Sequence, residues 1–154
     1  MALPVTGDLT HPFLNAQFRL QIDGLAMGDF AECSGLAGEV SVEEYQEGGE
    51  NRFAHKFPSR GGHPNLVLKR GTGISDQLWR WYEEFTSKGL VAPRDGQVLL
   101  LSSVDGEIAT VRAWSFVGGW PIKINGPDLN ATSPGVAIEA VELVHRGLKL
   151  VRLV

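Results

Sequence analysis

From residue 17 to residue 23, apolar Phe18, Leu20 and Ile22 alternate with Arg19, Gln21 and Asp23, the period-two pattern of a strand with one buried face. Asp23-Gly24 follows as a turn. In the stretch Glu39–Tyr45, Val40 and Val42 share a face with Glu44, while Ser41, Glu43 and Tyr45 share the other, and this too is read as a strand. Leu66–Arg70, Gln97–Ser103 and Glu107–Val117 continue the series, the last two joined at Asp105-Gly106 as a hairpin. The pattern predicts a mainly antiparallel sheet of short strands.

One segment breaks the alternation. Leu78, Trp79, Trp81, Tyr82 and Phe85 recur at helical spacing, so one amphipathic helix is expected to lay its aromatics on the sheet. Ser75 is placed to cap its start, Gly89 to end it, and Lys88 sits where the helix dipole favours a cation. The stretch Val136–His145 carries Ala and Glu, which favour helix, yet Val136, Ile138, Ala140 and Val144 share one strand face interrupted by Glu142; it is assigned as a strand. Gly147–Val154 reads as a terminal strand with apolar residues on both faces.

Between these elements lies Gln46–Asn65, with four glycines, two prolines and no sustained period. Loops this long inside a compact domain are uncommon and usually functional or disordered. Charge is segregated around it: Glu43, Glu44, Glu47 and Glu50 precede, whereas residues 51–75 contain no acid but carry Arg52, Lys56, Arg60, Lys69 and Arg70. Such polarity can dock one copy against another, or describe a solvated hairpin with opposed charges on its two arms.

Composition narrows the classes. The 154 residues, 43% hydrophobic and 21% charged, fit one folded domain spanning 1–154. A net charge of −4 removes any global electrostatic case for nucleic-acid binding. Cys33 is the single cysteine, so no intramolecular disulfide or multi-cysteine zinc site is possible, and a reducing compartment suits the chain. No apolar run approaches the ~18 residues of a membrane span, and Met1–Asp8 lacks the features of a secretory signal. Soluble synthesis inside the cell, without membrane insertion, is expected.

A search for chemistry finds none. His11, His55, His63 and His145 occupy no tight ligand motif; His55 and His63 share a loop but lack two further ligands for tetrahedral zinc. Around Cys33 the sequence Ala31-Glu32-Cys33-Ser34-Gly35 has no strand-to-helix elbow, and the thiol reads as small and buried. The carboxylate pairs Glu43/Glu44 and Glu83/Glu84 are adjacent in sequence and diverge on a strand or helix. Gly71-Thr72-Gly73 matches neither phosphate-binding fingerprint. Arg60, Lys69 and Arg70 are not interleaved with stacking aromatics. No catalytic residue, cofactor or metal is expected, and Trp79, Trp81, Tyr82 and Phe85, with Trp114 and Trp120, are read as core packing.

Several motifs in order carry a family likeness: Gly35-Leu36; Tyr45-Gln46-Glu47-Gly48-Gly49-Glu50-Asn51; Lys56-Phe57-Pro58; Asn65 through Gly71; Leu78-Trp79-x-Trp81; Trp114-x-Phe116; Gly119-Trp120-Pro121-x-Lys123; Gly126 through Ala131; and Ala137-Ile138-Glu139 through Glu142-Leu143-x-His145-x-Gly147. On these the chain resembles the inner tube proteins of contractile phage tails and related contractile injection systems. It departs at Pro58-Ser59 and Gly61-Gly62-His63, where a Pro-Gly turn is usual, and at Arg146, where an acid is common.

The resemblance implies an antiparallel β-sandwich or barrel-like subunit with one flanking helix. Six copies would close into a ring, and rings would stack into a hollow conduit for DNA or effector proteins. It also implies a strand at Val136–His145. Partners would be the chain itself, a sheath protein, baseplate and tube-terminating proteins and the lumenal cargo; assembly would be cytoplasmic, within a future phage virion tail or injection particle. Residues 46–65 would form the extended inter-subunit loop, with Glu47, Gly48, Gly49, Glu50, Asn51, Arg52, Lys56 and Arg60 as contacts. The alternatives are a tube-initiator ring protein at the baseplate and an OB-like nucleic-acid-binding module.

Overall fold

The computed structural model describes residues 17–45, 48–49, 54–71, 76–89, 92–132, 135 and 137–152. In chain order the elements are β1 (Gln17–Ile22), β2 (Leu25–Phe30), β3 (Glu32–Ser34), β4 (Glu39–Tyr45), β5 (His55–Gly62), β6 (Leu66–Gly71), α1 (Gln77–Lys88), β7 (Arg94–Val104), β8 (Glu107–Asn125), β9 (Ile138–Val144) and β10 (Gly147–Val151). The main sheet runs β2-β1-β7-β8-β9-β6-β3, with β10 added to β8, and every pairing is antiparallel. This is the mainly β, one-helix architecture that the alternation predicts.

β8 makes the body fold over on itself. Its first part pairs with β7 and β10, and from Trp120 onward it pairs with β9. The change of partner falls at Gly118-Gly119: Gly118 has φ +61°, and a Cβ on Gly119 would lie 2.5 Å from the Phe116 ring. Only glycine lets the strand bend this tightly over its own aromatic. Sequence reading ends the strand at Val117 because a glycine pair normally breaks an element, but here it bends a strand that continues to Asn125.

The sheet encloses a main core, with a smaller cluster of Leu99, Leu101 and Ala113 apart from it. Leu20 and Ile22 of β1, Phe30 of β2, Val98 of β7 and Phe116 of β8 meet Leu66 and Leu68 of β6 and Val141 and Leu143 of β9, with Leu78 and Trp81 of α1 inserted among them. The open side between β2 and β6 is bridged by the Ala31 N–H, which donates to the Lys69 carbonyl at 2.9 Å. Gly28, φ +143°, leaves room there for the Arg70 guanidinium. That guanidinium pairs with Glu139 in the interior and lies 5.3 Å from the Phe30 ring centroid.

Two expectations change, and a third, the Ser75 cap, falls outside the described residues. The helix begins after Asp76, whose side chain makes no capping bond and instead accepts from Arg80 Nε at 3.0 Å. The core face of β9 is Glu139, Val141 and Leu143, while Ile138, Ala140, Glu142 and Val144 form its less buried face. A carboxylate is tolerated inside because Arg70 neutralises it, which alternation alone does not reveal. Finally, the long loop is half strand: β5 pairs with β4 as a separate two-stranded sheet.

Candidate assembly interface

The β4–β5 hairpin projects as an arm with almost nothing packed on it. Every residue of β4 is exposed, as is every residue of β5 except half-buried Ser59. The register Glu43↔Phe57 and Tyr45↔His55 defines one face, and Val42↔Pro58 and Glu44↔Lys56 the other. An aromatic cluster therefore stands in solvent, with the His55 and Phe57 rings stacked at 6.4 Å. Val40, Val42, Tyr45 and Phe57 are 54–59% exposed. A lone two-stranded hairpin is marginal at best in water, and apolar side chains of this size are stabilising only when covered.

The predicted contact residues divide. Lys56 Nζ lies 3.8 Å from Glu44 Oε1 across the hairpin, so part of the segregated charge is compensated within the arm. Arg60 is exposed near its base, and Gly48 and Gly49 form a turn with open space around them. Glu47, Glu50, Asn51 and Arg52 lie outside the described residues. Sequence reasoning missed the apolar half of the surface. The signal was present in Val40 and Val42 on one strand face, but its significance depends on β5, whose Pro58, Gly61 and Gly62 disguise a strand.

At its root the arm passes beside the body through Gly35–Gly38 and His63–Asn65. A Cβ on Gly35 would fall 2.0 Å from the Asn65 carbonyl oxygen, so the two segments are in close contact. Asn65 Nδ2 donates to Glu142 Oε1 at 2.8 Å. His63 lies against His145, ring centroids 5.4 Å apart.

The aromatics assigned to packing occupy the body. Trp81 is buried at 4% exposure, whereas Trp79, Tyr82, Phe85, Trp114 and Trp120 are half-buried. Phe85 stacks on Trp120 at 5.2 Å, and Trp79 meets Tyr82 edge-on at 6.4 Å. Cys33 is partly covered by the core, and burial pushes its thiol up to about 11. No cluster of three metal-ligating side chains occurs among the described residues. An open hollow of about 430 Å³ beside β1, β7 and β8 includes Asp95, but Asp95 Oδ1 already accepts from the Gly118 N–H at 2.9 Å.

The folded β-body thus presents an arm whose apolar side chains Val40, Val42, Tyr45 and Phe57 are uncovered beside its charged ones. The T4-like virus tail tube protein gp19 family matches residues 14–149, and the chain belongs to that family. It is a structural tube subunit of the contractile, phage-tail-like class. The fold is similar to that in the PVC sheath-tube complex of an extracellular contractile injection system in the extended state, with TM-score 0.75 and 19% identity over 94% of this chain and 95% of that one. The anti-feeding prophage tube-terminating cap matches with TM-score 0.75 and 19% identity over 97% of each chain. Hcp1 from Flavobacterium johnsoniae matches with TM-score 0.50 and 13% identity over 87% and 94%. These likenesses establish the fold. No curated protein matches the chain. Among the described residues no helix is long and apolar enough to cross a membrane.

Proposed function

We propose that the chain, as one tube-forming domain over residues 1–154, is the repeating unit of a hollow tube in which six copies close a ring and rings stack. The observation that carries this reading is the arm: an isolated hairpin with four large apolar side chains in solvent gains stability only by burying them against another copy. Its contacts in the assembly include Glu47, Gly48, Gly49, Glu50, Asn51, Arg52, Lys56 and Arg60, joined by Val40, Val42, Tyr45 and Phe57. The body aromatics Trp79, Trp81, Tyr82, Phe85, Trp114 and Trp120 serve packing, and the subunit performs no catalysis.

Family membership and the likeness to baseplate, sheath-tube and tube-cap assemblies support a sheath outside the tube and baseplate and terminating proteins at its ends; the lumenal cargo in this reading is DNA or an effector protein. Assembly takes place in the cytoplasm before the particle leaves the cell. An OB-like nucleic-acid reading is disfavoured by the arm, whose aromatic face carries Glu43 beside Phe57. Electron microscopy and sedimentation of the purified chain test the proposal: annular or tubular particles are expected, and a monomer at all concentrations, even with baseplate partners co-expressed, overturns it.

A further inference from the structure

The arm is fastened to the body through two histidines. His63 follows β5 directly, and its Nδ1 lies 3.3 Å from the Ala37 carbonyl, on the irregular segment leading into β4. His145 sits in the corner between β9 and β10, with Nε2 3.2 Å from the Pro64 carbonyl. A carbonyl only accepts, so each of these nitrogens carries the proton and donates. The second proton of each ring must therefore go to His63 Nε2 and His145 Nδ1. His145 Nδ1 is buried and has no hydrogen-bond partner among the described residues. The rings are 5.4 Å apart, and Phe116 covers His145 from the β8 side at 6.2 Å.

We propose that the His63–His145 contact is a proton-sensitive joint that holds the arm to the body at neutral pH and loosens it in mild acid. Neutral rings pack tilted at 43° to each other; two imidazoliums at this separation repel, and that of His145 would be charged at a half-buried position beside the Phe116 ring. The charged groups around the joint do not cancel this. From β9, Glu142 is engaged by Asn65; beyond it Arg146 adds positive charge and lies against Gly118. Asp95 of β7 is committed to the Gly118 N–H. Lys123 of β8 pairs in register with Glu142, and Glu39 of β4, opposite Gly62, is exposed. His145 titrates below the ordinary histidine range, first because burial disfavours its cation and also because His63 is near, with the Pro64 and Gly147 backbone pulling the other way. An unfolded or detached histidine thus binds the proton more readily than the packed one, so the joint is intact above the ordinary histidine pKa and weakens as pH falls through it.

The consequence for stacked rings rests on the assembly role proposed for the arm, and the test separates the two. Amide hydrogen exchange of the full chain, corrected for intrinsic rates, is compared at pH 7.5 and 5.5 for the wild type and for His63→Asn/His145→Gln, which keeps both donors but cannot take a proton. At Ala37, whose N–H donates to the Gly35 carbonyl, the wild type should exchange several-fold faster at pH 5.5 than at pH 7.5, and the double variant should not. His63→Asn alone, at an exposed position, should show a reduced response. Equal pH profiles in wild type and double variant overturn the joint. If the joint loosens in acid while tube length by electron microscopy is indifferent to pH, the joint stands and the arm's role in stacking falls.

Discussion

At the scale of single residues, the interior is organised around one ion pair. Arg70 and Glu139 face each other across β6 and β9, both buried, and neutralising the carboxylate weakens the charge-assisted hydrogen bond between them. Glu139→Gln should therefore cost about 1.5–3 kcal/mol, measured by chemical denaturation. Trp81, buried among β-strand residues, should cost about 3–5 kcal/mol as Trp81→Ala, with assembly lost only as far as folding is. Stability retained with assembly abolished would move Trp81 from the core to a contact surface. Cys33 gives a third readout. Burial pushes its thiol to about 11, so alkylation of the folded chain should be slow at neutral pH and accelerate as pH approaches that value; a fast reaction at neutral pH would contradict the packed position.

At the scale of elements, what was legible in the sequence depended on whether an element carried its own reason for existing. β1, β6 and α1 bury a face of their own residues, so their periodicity is clean, whereas β7 was legible as an apolar run buried on both faces. β9 was legible as a strand, but its core face was not, because Glu139 becomes apolar in effect only when Arg70 arrives from a strand 69 positions away. β2 hid behind Gly28, which is there to admit the same arginine. β5 hid because a strand with both faces in solvent has no alternation to detect, and the charged half of the arm was therefore seen while its apolar half was not. That apolar half makes a separate prediction. Phe57→Ser and Val42→Ser, at exposed positions, should leave the melting of the unassembled subunit nearly unchanged, within about 0.5 kcal/mol, yet weaken ring or tube formation in sedimentation. A large loss of subunit stability would mean that the arm packs on its own body.

At the scale of the whole molecule, the folding core and the arm proposed for assembly draw on different residues. The main core draws its buried residues from β1, β2, β6, β7, β8, β9 and α1, and none from β4 or β5. Burying a large apolar side chain contributes about 1.5–3 kcal/mol, but association also costs about 4–15 kcal/mol in lost freedom, so one arm seated on one neighbour is a weak contact. Closed symmetry changes the balance, because each copy that joins a ring both gives and receives the contact, and the first contact orients the rest. Replacing residues 40–61 with a short Gly-Ser linker should accordingly leave a subunit that melts cooperatively with its β-type circular dichroism intact, since the joint at Gly35–Gly38 and His63–Asn65 is preserved. The same variant should form no stacked tubes under conditions where the wild type does, with isolated rings as the largest particles. Normal tubes from the variant would show that the arm is a solvated hairpin and that stacking rests on the faces of the body. An unfolded variant would show that the arm, despite its exposure, belongs to the folding unit.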